Sequence, residues 1–572
     1  VKKLVIQETS SRPAPRRNHI LTIALEEYFH GMAFAGVIDR RQWSRLETRF
    51  ERNTLATLDL LDEHQARATF FVMAWLAERR PDVVREVVRR GHEIASSGAT
   101  RRSFRQLSPE EFRGELRRSR DVIERASERQ VLGFRVADRL LKPADLWALE
   151  VLAQEGYAYD SSVSPSLRSF HGQPWRRFVH RERFGEHALW EFPLSALHSL
   201  GVSIPIAGGN YFRQFPQTLI KAAVNHWDRA YDHPFVMYFR VWDLDADQPR
   251  ITAAPMLARI RHYRNAEKMP RLLRQFLASY RFTGVAEFLG LEPQTPAPVP
   301  VDPAHRQPSR RLVLVNRRER VSVVVPCFNE ELTLPYLANT LREVRASLAD
   351  RYELLFLFVD DGSRDQTGRS LSALFGDDPH SKILRHARNQ GVAAAILTGI
   401  RNAQTPVVCS IDCDCTYDPH ELGNMIPMLA EGADLVTASP YHPNGAVLNV
   451  PRWRLALSKT ASALYRAALG ERLHTYTSCF RVYRREAVAE MQLSENGFLG
   501  VAEMLGKLAL AGARIVEHPA TLEVRLLGRS KMRVARTIAG HLKLLLRFAI
   551  ARRTGPKRSR PEPRGAALPE RI

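Results

Sequence analysis

Short β-branched and aromatic runs alternate along this chain with longer stretches in which apolar residues recur every three or four positions. The runs read as buried strands and the longer stretches as amphipathic helices. In the first half HILTIAL (19–25), ARATFFV (66–72), HEIAS, GFRVA and PFVMYFRVW (234–242) are the expected strands. The spacing of Leu46, Phe50, Leu55, Leu58 and Leu61 predicts a helix over 43–64, and Pro81 opens another that stops at Gly91. Ser108 is placed to cap a third helix, and 143–155 forms a fourth. Repeated strand–helix alternation implies a parallel sheet or barrel.

The alternation stops over 291–319, where EPQTPAPVPVDPAHRQPSRR is a stiff, extended Pro-rich linker, and then restarts. RVSVVVP, ELLFLFVDDGS, KILRH, VVCSID and ADLVTAS (433–439) are strands, with helices over 330–348, 365–374 and 391–402 between them. This is the pattern of an open, doubly wound α/β domain, whose ligands sit beyond the carboxyl ends of the strands. The resulting division is a basic arm (1–18), a first domain (19–290), the linker, a second domain (320–531), a basic amphipathic helix (532–553) and a basic tail (554–572). Arm and tail are expected to be disordered.

Charge narrows the partners. The 572 residues carry a formal +22, dominated by Arg, which suits polyanions: nucleic acid, anionic lipid or phosphorylated substrates. No aromatic-and-basic platform or recognition motif supports nucleic acid. The apolar positions of the last helix, Val534, Ile538, Leu542, Leu545 and Ala549, flanked by Arg and Lys, suit either an anionic membrane surface or packing against its own domain. The 18 N-terminal residues lack the apolar core of a signal peptide, and no run reaches the ~20 apolar residues of a spanning helix. The five cysteines all fall in the second half, two of them interleaved with acids, and read as reduced thiols of a cytoplasmic protein rather than as zinc ligands.

Candidate chemistry lies at three strand ends: PCFNE (326–330), DDGS (360–363) and IDCD (411–414). Asp412 and Asp414, one residue apart at a strand end, can aim at one point, and a divalent cation carrying a diphosphate removes their mutual repulsion. Further on, RLLGRSK supplies Arg525, Arg529 and Lys531, of which the arginines suit bidentate phosphate contacts.

With RNQGVAAAILTGI, TSCFRVYRR and RLLGRSK added to these motifs, 320–547 resembles the family 2 glycosyltransferases of GT-A fold, in the dolichol-phosphate-mannose-synthase-like branch. The resemblance implies a nucleotide-sugar donor lined by Pro326, Asn329, Glu330, Asp360, Asp361 and Ser363, with one carboxylate of the Asp pair accepting from the base. It places Mg or Mn on Asp412 and Asp414. It assigns Arg481, Arg525, Arg529 and Lys531 to phosphate or acceptor, and Glu503 to the place of a catalytic acid or base. The acceptor is a polyprenyl phosphate or a glycan hydroxyl, and only the hydroxyl needs such a base. TYTSCFR (475–481) lacks the acid that the lipid-phosphate branch carries there.

LTIALEEYFH, ATFFVMAWLAER, GHEIASSGATRR, GFRVAD, YDSSVSP and FVMYFRVWDLD give 19–290 a resemblance to the polysaccharide-deacetylase family, a distorted (β/α) barrel. That family's base position holds Ala24, its His pair Ser97 and Arg101, and its late His Arg240; Glu26 keeps a possible ligand carboxylate, and Arg135, Trp242 and Asp243 keep surrounding positions. Arginine cannot deprotonate and repels a cation, so neither zinc nor deacetylation is expected here. Arg101 and Arg240 would instead make the pocket an anion site or an interdomain salt-bridge surface. The reading is a glycosyltransferase of cell-surface polysaccharide assembly, peripheral on the inner face of the plasma membrane, with a non-catalytic deacetylase-like domain. A bifunctional enzyme with a relocated metal site and a non-catalytic scaffold are its rivals.

Overall fold

The computed structural model describes residues 17–99, 104–137, 141–165, 170, 173–199, 202–294, 318–528 and 534–554. Most of the basic arm, the linker over 295–317 and the tail from 555 lie outside them. The chain forms two compact units. The first comprises Val1–Ala35, Thr48–Gln248 and Pro255–Gln307; the second comprises Gly36–Glu47, Pro249–Ala254 and Pro308–Ile572.

The first unit is built on β1 (Asn18–Leu25), β2 (Thr69–Val72), β3 (Glu93–Ser96), β4 (Gly133–Phe134), β5 (Tyr159–Asp160), β6 (His180–Phe184), β7 (His187–Glu191), a β8–β9 hairpin (Ala196–Ser199, Val202–Pro205), β10 (Val236–Arg240) and β11 (Arg281–Thr283). Among the described residues the main sheet runs β10-β1-β2-β3-β4-β5-β7-β6, with β11 also on β1. Every pair is parallel except β6 with β7. β1 is buried from His19 to Leu25, as a central parallel strand covered on both faces must be. Past β7 the chain returns to β10 without a strand ladder: the Val236 N–H donates to Ser195 Oγ at 2.8 Å, which makes the closure irregular. The expected cap is present, Ser108 and Glu111 exchanging bonds at 3.2 and 2.8 Å. The helix expected from residue 43 instead begins at Phe50. The Glu27 carboxylate accepts from the N–H groups of Arg49 (2.9 Å) and Phe50 (3.0 Å), satisfying the donors of a helix start there.

The second unit holds β12 (Glu319–Cys327), β13 (Tyr352–Asp360), β14 (Ser381–Arg385), β15 (Val407–Ser410), β16 (Leu435–Ser439), β17 (Ala446–Val447), β18 (Arg481–Arg484), β19 (Ile515–Pro519) and β20 (Thr521–Leu522). Its sheet runs β14-β13-β12-β15-β18-β16-β19, and only β18 is antiparallel to its neighbours. The order reverses direction between β12 and β15, and a crevice opens at such a switch point beyond the strand ends. Alternate residues of β12 face opposite cores: Val323 and Val325 pack with Leu337 and Leu341, and Val324 packs with Ile396 and Ile400.

The C-terminal helix Val534–Thr554 packs against its own domain on one side and leaves apolar residues exposed on the other. Leu544, Leu545 and Phe548 are buried in the second of those cores, and the Phe548 ring lies where a Cβ on Gly506 would be 2.2 Å away. Ile538, Leu542, Leu546 and Ile550, spaced by four, are 43–64% exposed and form a stripe on the solvent side.

Candidate active site

Three strand ends of the second unit meet at the switch point. After β12, Asn329 takes a left-handed conformation (φ 52°), a tolerated one for Asn, and its N–H donates to Ser363 Oγ at 2.9 Å. Asn329 Oδ1 in turn accepts from the Arg364 N–H at 2.8 Å, so PCFNE and DDGS are stitched together. Pro326, still within β12, is half-buried beside Val359 in the ladder. The Glu330 N–H donates to Thr367 Oγ1 at 2.7 Å, which leaves the Glu330 carboxylate to pair with Arg525.

The two acids after β13 separate in role. Asp361 accepts from His386 Nδ1 (2.7 Å), Asn389 Nδ2 (2.8 Å) and the N–H groups of Gln390 (2.8 Å) and Gly391 (2.7 Å). It holds the 386–391 loop against the strand end rather than facing a ligand. Gly362 (φ 67°) permits this approach, since a Cβ there would lie 2.5 Å from the Arg388 backbone, and Gly391 (φ 110°) permits a second one, a Cβ there lying 2.4 Å from Asn496 O. Asp360 accepts from the Ser363 N–H at 2.9 Å through Oδ1, while Oδ2 lies 3.3 Å from Arg385 Nε without hydrogen-bond geometry.

β15 ends at Ser410, and Asp412 and Asp414 follow in a turn closed by Cys415 N–H to Asp412 O, with Cys415 in the left-handed region (φ 50°). Burial, with Asp414 beside it, pushes the Asp412 carboxyl up from the usual range. Burial also pushes Asp414 up, against the pull of Arg525, whose Nε lies 3.4 Å from Asp414 Oδ2. Glu330 and Asp414 thus pair with one guanidinium, whose charge also reaches Asp412. Two half-buried oxygen-donor acids that repel each other are a donor set that fits a hard divalent cation. Among the described residues no three His, Cys, Asp or Glu side chains gather in a metal-binding cluster, so two protein ligands are what the turn offers. The five cysteines are free thiols, Cys327 and Cys413 lying 3.7 Å apart.

Other expected residues lie elsewhere or do other work. Glu503, in the helix Phe498–Leu510, is buried and accepts from the N–H groups of Ser494 (3.0 Å) and Glu495 (2.8 Å) and pairs with Lys507 at 2.9 Å. Burial raises its carboxyl, but these partners together hold it below the ordinary range, the wrong direction for a base. Arg481 is fully buried and donates to Val501 O and Tyr476 O, both at 2.8 Å, so its guanidinium is spent on backbone rather than on phosphate. Arg529 and Lys531 lie outside the described residues. Glu517 of β19 was not singled out in sequence. It reaches the TYTSCFR segment, accepting from the N–H groups of His474 and Thr475 at 2.8 Å, and no motif announces it.

In the first unit Ala24 pairs with Arg240 across β1 and β10 and is 1% exposed. Arg240 Nε lies 3.6 Å from Glu26, and its N–H donates to Asp243, whose other oxygen pairs with Arg213 at 2.7 Å. These ionic partners all belong to the same unit, so Arg240 is part of an internal network of charges. Ser97 Oγ donates to Arg135 O at 3.0 Å, and Arg135, fully buried between the rings of Phe71 and Tyr238, donates to Ser161. Burial lowers the Arg135 guanidinium to about 10. Arg101 lies outside the described residues.

Residues 322–491 match the family described as Glycosyl transferase family 2. The chain is 33% identical over 226 residues to the polyprenol monophosphomannose synthase of Mycolicibacterium smegmatis, an alignment spanning 38% of this chain and 83% of that one. The chain belongs to glycosyl transferase family 2. Membership rests in its second half. In the first half, residues 45–157 match Polysaccharide deacetylase and 161–290 match a domain of unknown function, DUF3473. Among solved structures, a putative polysaccharide deacetylase from Mycobacterium smegmatis is 17% identical, with a TM-score of 0.33, over 50% of this chain and 96% of that one. The glucosyl-3-phosphoglycerate synthase of Mycobacterium tuberculosis, solved with Mn2+ and UDP, is 18% identical, with a TM-score of 0.31, over 42% of this chain and 82% of that one. By its own strand topology this family 2 chain is an α/β protein, and its family matches divide it into a polysaccharide-deacetylase part in the first half and a glycosyl transferase part in the second.

Proposed function

We propose that this protein moves a sugar from a nucleotide-sugar donor to a polyprenyl phosphate at an anionic membrane face, and that its deacetylase-like half is not catalytic. The observation that carries the reading is the cluster of Glu330, Asp412 and Asp414 around Arg525 at the switch point. Asp412 and Asp414 would hold Mg or Mn, which supplies Lewis acidity to the leaving diphosphate. Arg525 is placed to exchange its carboxylate partners for diphosphate oxygens, a geometry its planar fork suits. Asp360, whose Oδ2 has no hydrogen-bond partner, is the acid of the pair suited to accept from the nucleoside base. Asp361 and Ser363 hold the loops that frame it.

The state of Glu503 supports a lipid phosphate as acceptor. A phosphate monoester, with a second pKa of about 6, attacks as a dianion near neutral pH and needs no general base. A cavity of about 330 Å3 in the second unit supports the same choice, being walled by Trp453, Leu457, Leu464, Phe498 and Leu542. Thr477 and Leu522 also line it, and they precede Cys479 and Arg525 by two and three residues. The exposed stripe of the last helix, flanked by Lys543 and Arg547, suits an interfacial helix on anionic lipid. Among the described residues no helix is long and apolar enough to cross a membrane.

The test is transfer from a panel of nucleotide sugars with Mn2+ to undecaprenyl phosphate in anionic vesicles. Label should enter the lipid fraction, and the Leu542→Glu/Leu546→Glu double variant should lose about tenfold or more of that transfer. Label released only as free sugar, or placed only on a soluble glycan, would reject the lipid acceptor.

For the first half, the full-length protein dialysed against zinc should retain less than about a tenth of an equivalent, since a catalytic site needs three ligands that Ser97 and Arg240 do not supply. Acetylated oligosaccharides should release no acetate. Stoichiometric zinc with acetate release would establish the bifunctional alternative.

A further inference from the structure

The second unit is discontinuous in sequence, and its two short outlying segments converge on one loop. Glu523 to Gly528 is the loop that carries Arg525 to Asp414. From Gly36–Glu47, Gln42 Nε2 donates to Glu523 Oε2 at 2.6 Å. That segment is itself fixed. Arg45 pairs with Asp418 at 3.1 Å and Glu343 at 3.3 Å, and Asn339 Nδ2 donates to Arg45 O at 3.1 Å. From Pro249–Ala254, the Thr252 N–H donates to Leu526 O at 2.8 Å. The Thr252 hydroxyl lies 2.8 Å from Gly528 O and 3.1 Å from Leu526 O. The Glu523 N–H also donates to Thr416 O at 2.9 Å, tying the start of the loop to the turn that follows Asp414. Arg525 therefore sits between a fastening at residue 523 and another at 526–528.

We propose that Thr252 and Gln42 are positioning residues for Arg525, so that two segments of the first half of the chain complete the diphosphate-binding part of the transferase site. This rests on the donor-site reading above. A long Arg side chain keeps many rotamers when free, and a loop with few anchors adds backbone freedom to them. Fixing the backbone on both sides of residue 525 removes that second source, so less freedom is lost when the guanidinium grips a diphosphate. Thr252 is well suited to the task. Its N–H fixes Leu526, and its hydroxyl can satisfy the Gly528 carbonyl, which a left-handed backbone (φ 74°) directs at this point. Val at 252 would keep shape and N–H but leave that carbonyl without its donor; Ser would keep the donor.

The experiment uses the full-length protein and manganese pyrophosphate as probe, with binding followed by calorimetry and loop order by tryptic cleavage after Arg525. Thr252→Val should weaken manganese pyrophosphate about five- to tenfold, the worth of roughly one hydrogen bond, and speed cleavage at Arg525. Thr252→Ser should restore both, and Gln42→Leu should act in the same direction as Thr252→Val. Affinity for Mn2+ alone should not change in any of the three. Wild-type affinity and cleavage in Thr252→Val and Gln42→Leu, with Asp414→Asn still losing pyrophosphate, would overturn this inference and leave the donor site standing. Unaltered pyrophosphate binding in Asp414→Asn would overturn the donor site and this inference together. Equal losses in Thr252→Ser and Thr252→Val would show a packing role and reject positioning.

Discussion

Asp414→Asn should lower sugar transfer by about 10²–10³-fold while the protein stays folded. The substitution preserves size and removes one negative charge from a turn in which two half-buried carboxylates already repel each other. Its effect on stability is therefore small, and relief of the Asp412 repulsion offsets the loss of the Arg525 contact. Function has no such offset. Half of the carboxylate pair proposed to hold Mg or Mn disappears, and Arg525 keeps its pairing with Glu330. Initial rates with saturating Mn2+, paired with a thermal transition, separate the two effects. EDTA should abolish wild-type transfer and change little in the variant. A rate within tenfold of wild type, or activity retained in EDTA, would remove the DxD turn from the mechanism.

Asp361→Ala should destabilise the second unit by about 3–5 kcal/mol, more than any substitution at the exposed stripe. One buried carboxylate there accepts from four donors on the 386–391 loop, and Ala leaves the buried His386 ring and the N–H groups of Gln390 and Gly391 without that acceptor. Asn can replace one oxygen acceptor, so Asp361→Asn should fall between Ala and wild type. Urea unfolding followed by a probe in the second unit measures this, because a chain of two compact units need not unfold in one step. An unchanged midpoint in Asp361→Ala would mean that the loop is held by its glycine-dependent backbone path instead.

What could be read in advance were features written locally. Apolar runs, glycine at turn positions and acids at strand ends lie within a few residues of one another, and the α/β alternation with its strand-end crevice followed from them. What could not be read depended on partners far away. DDGS contains two adjacent acids, but which one stays available depends on where His386 to Gly391 folds back. Arg481 lies in a motif that suggests phosphate, yet its donors face Val501 O and Tyr476 O, brought together only when β18 inserts between β15 and β16. The same distance effect hid the start of the helix at Phe50, which Glu27 sets from 23 residues away. Residues 36–47 carry no periodicity or motif that marks them as part of the second unit.

The fastening of Gln42 to Glu523 also orders events during synthesis. The two residues are 481 positions apart, so at about 5–20 residues per second a ribosome needs roughly 25–100 s to supply the second after the first. Early in that interval Gly36–Glu47 has none of the surface it binds, and it gains that surface in steps. Glu343 and then Asp418 reach Arg45 well before Glu523 can reach Gln42. The loop that carries Arg525 is therefore fastened last, after the turn of Asp412 and Asp414 has been made.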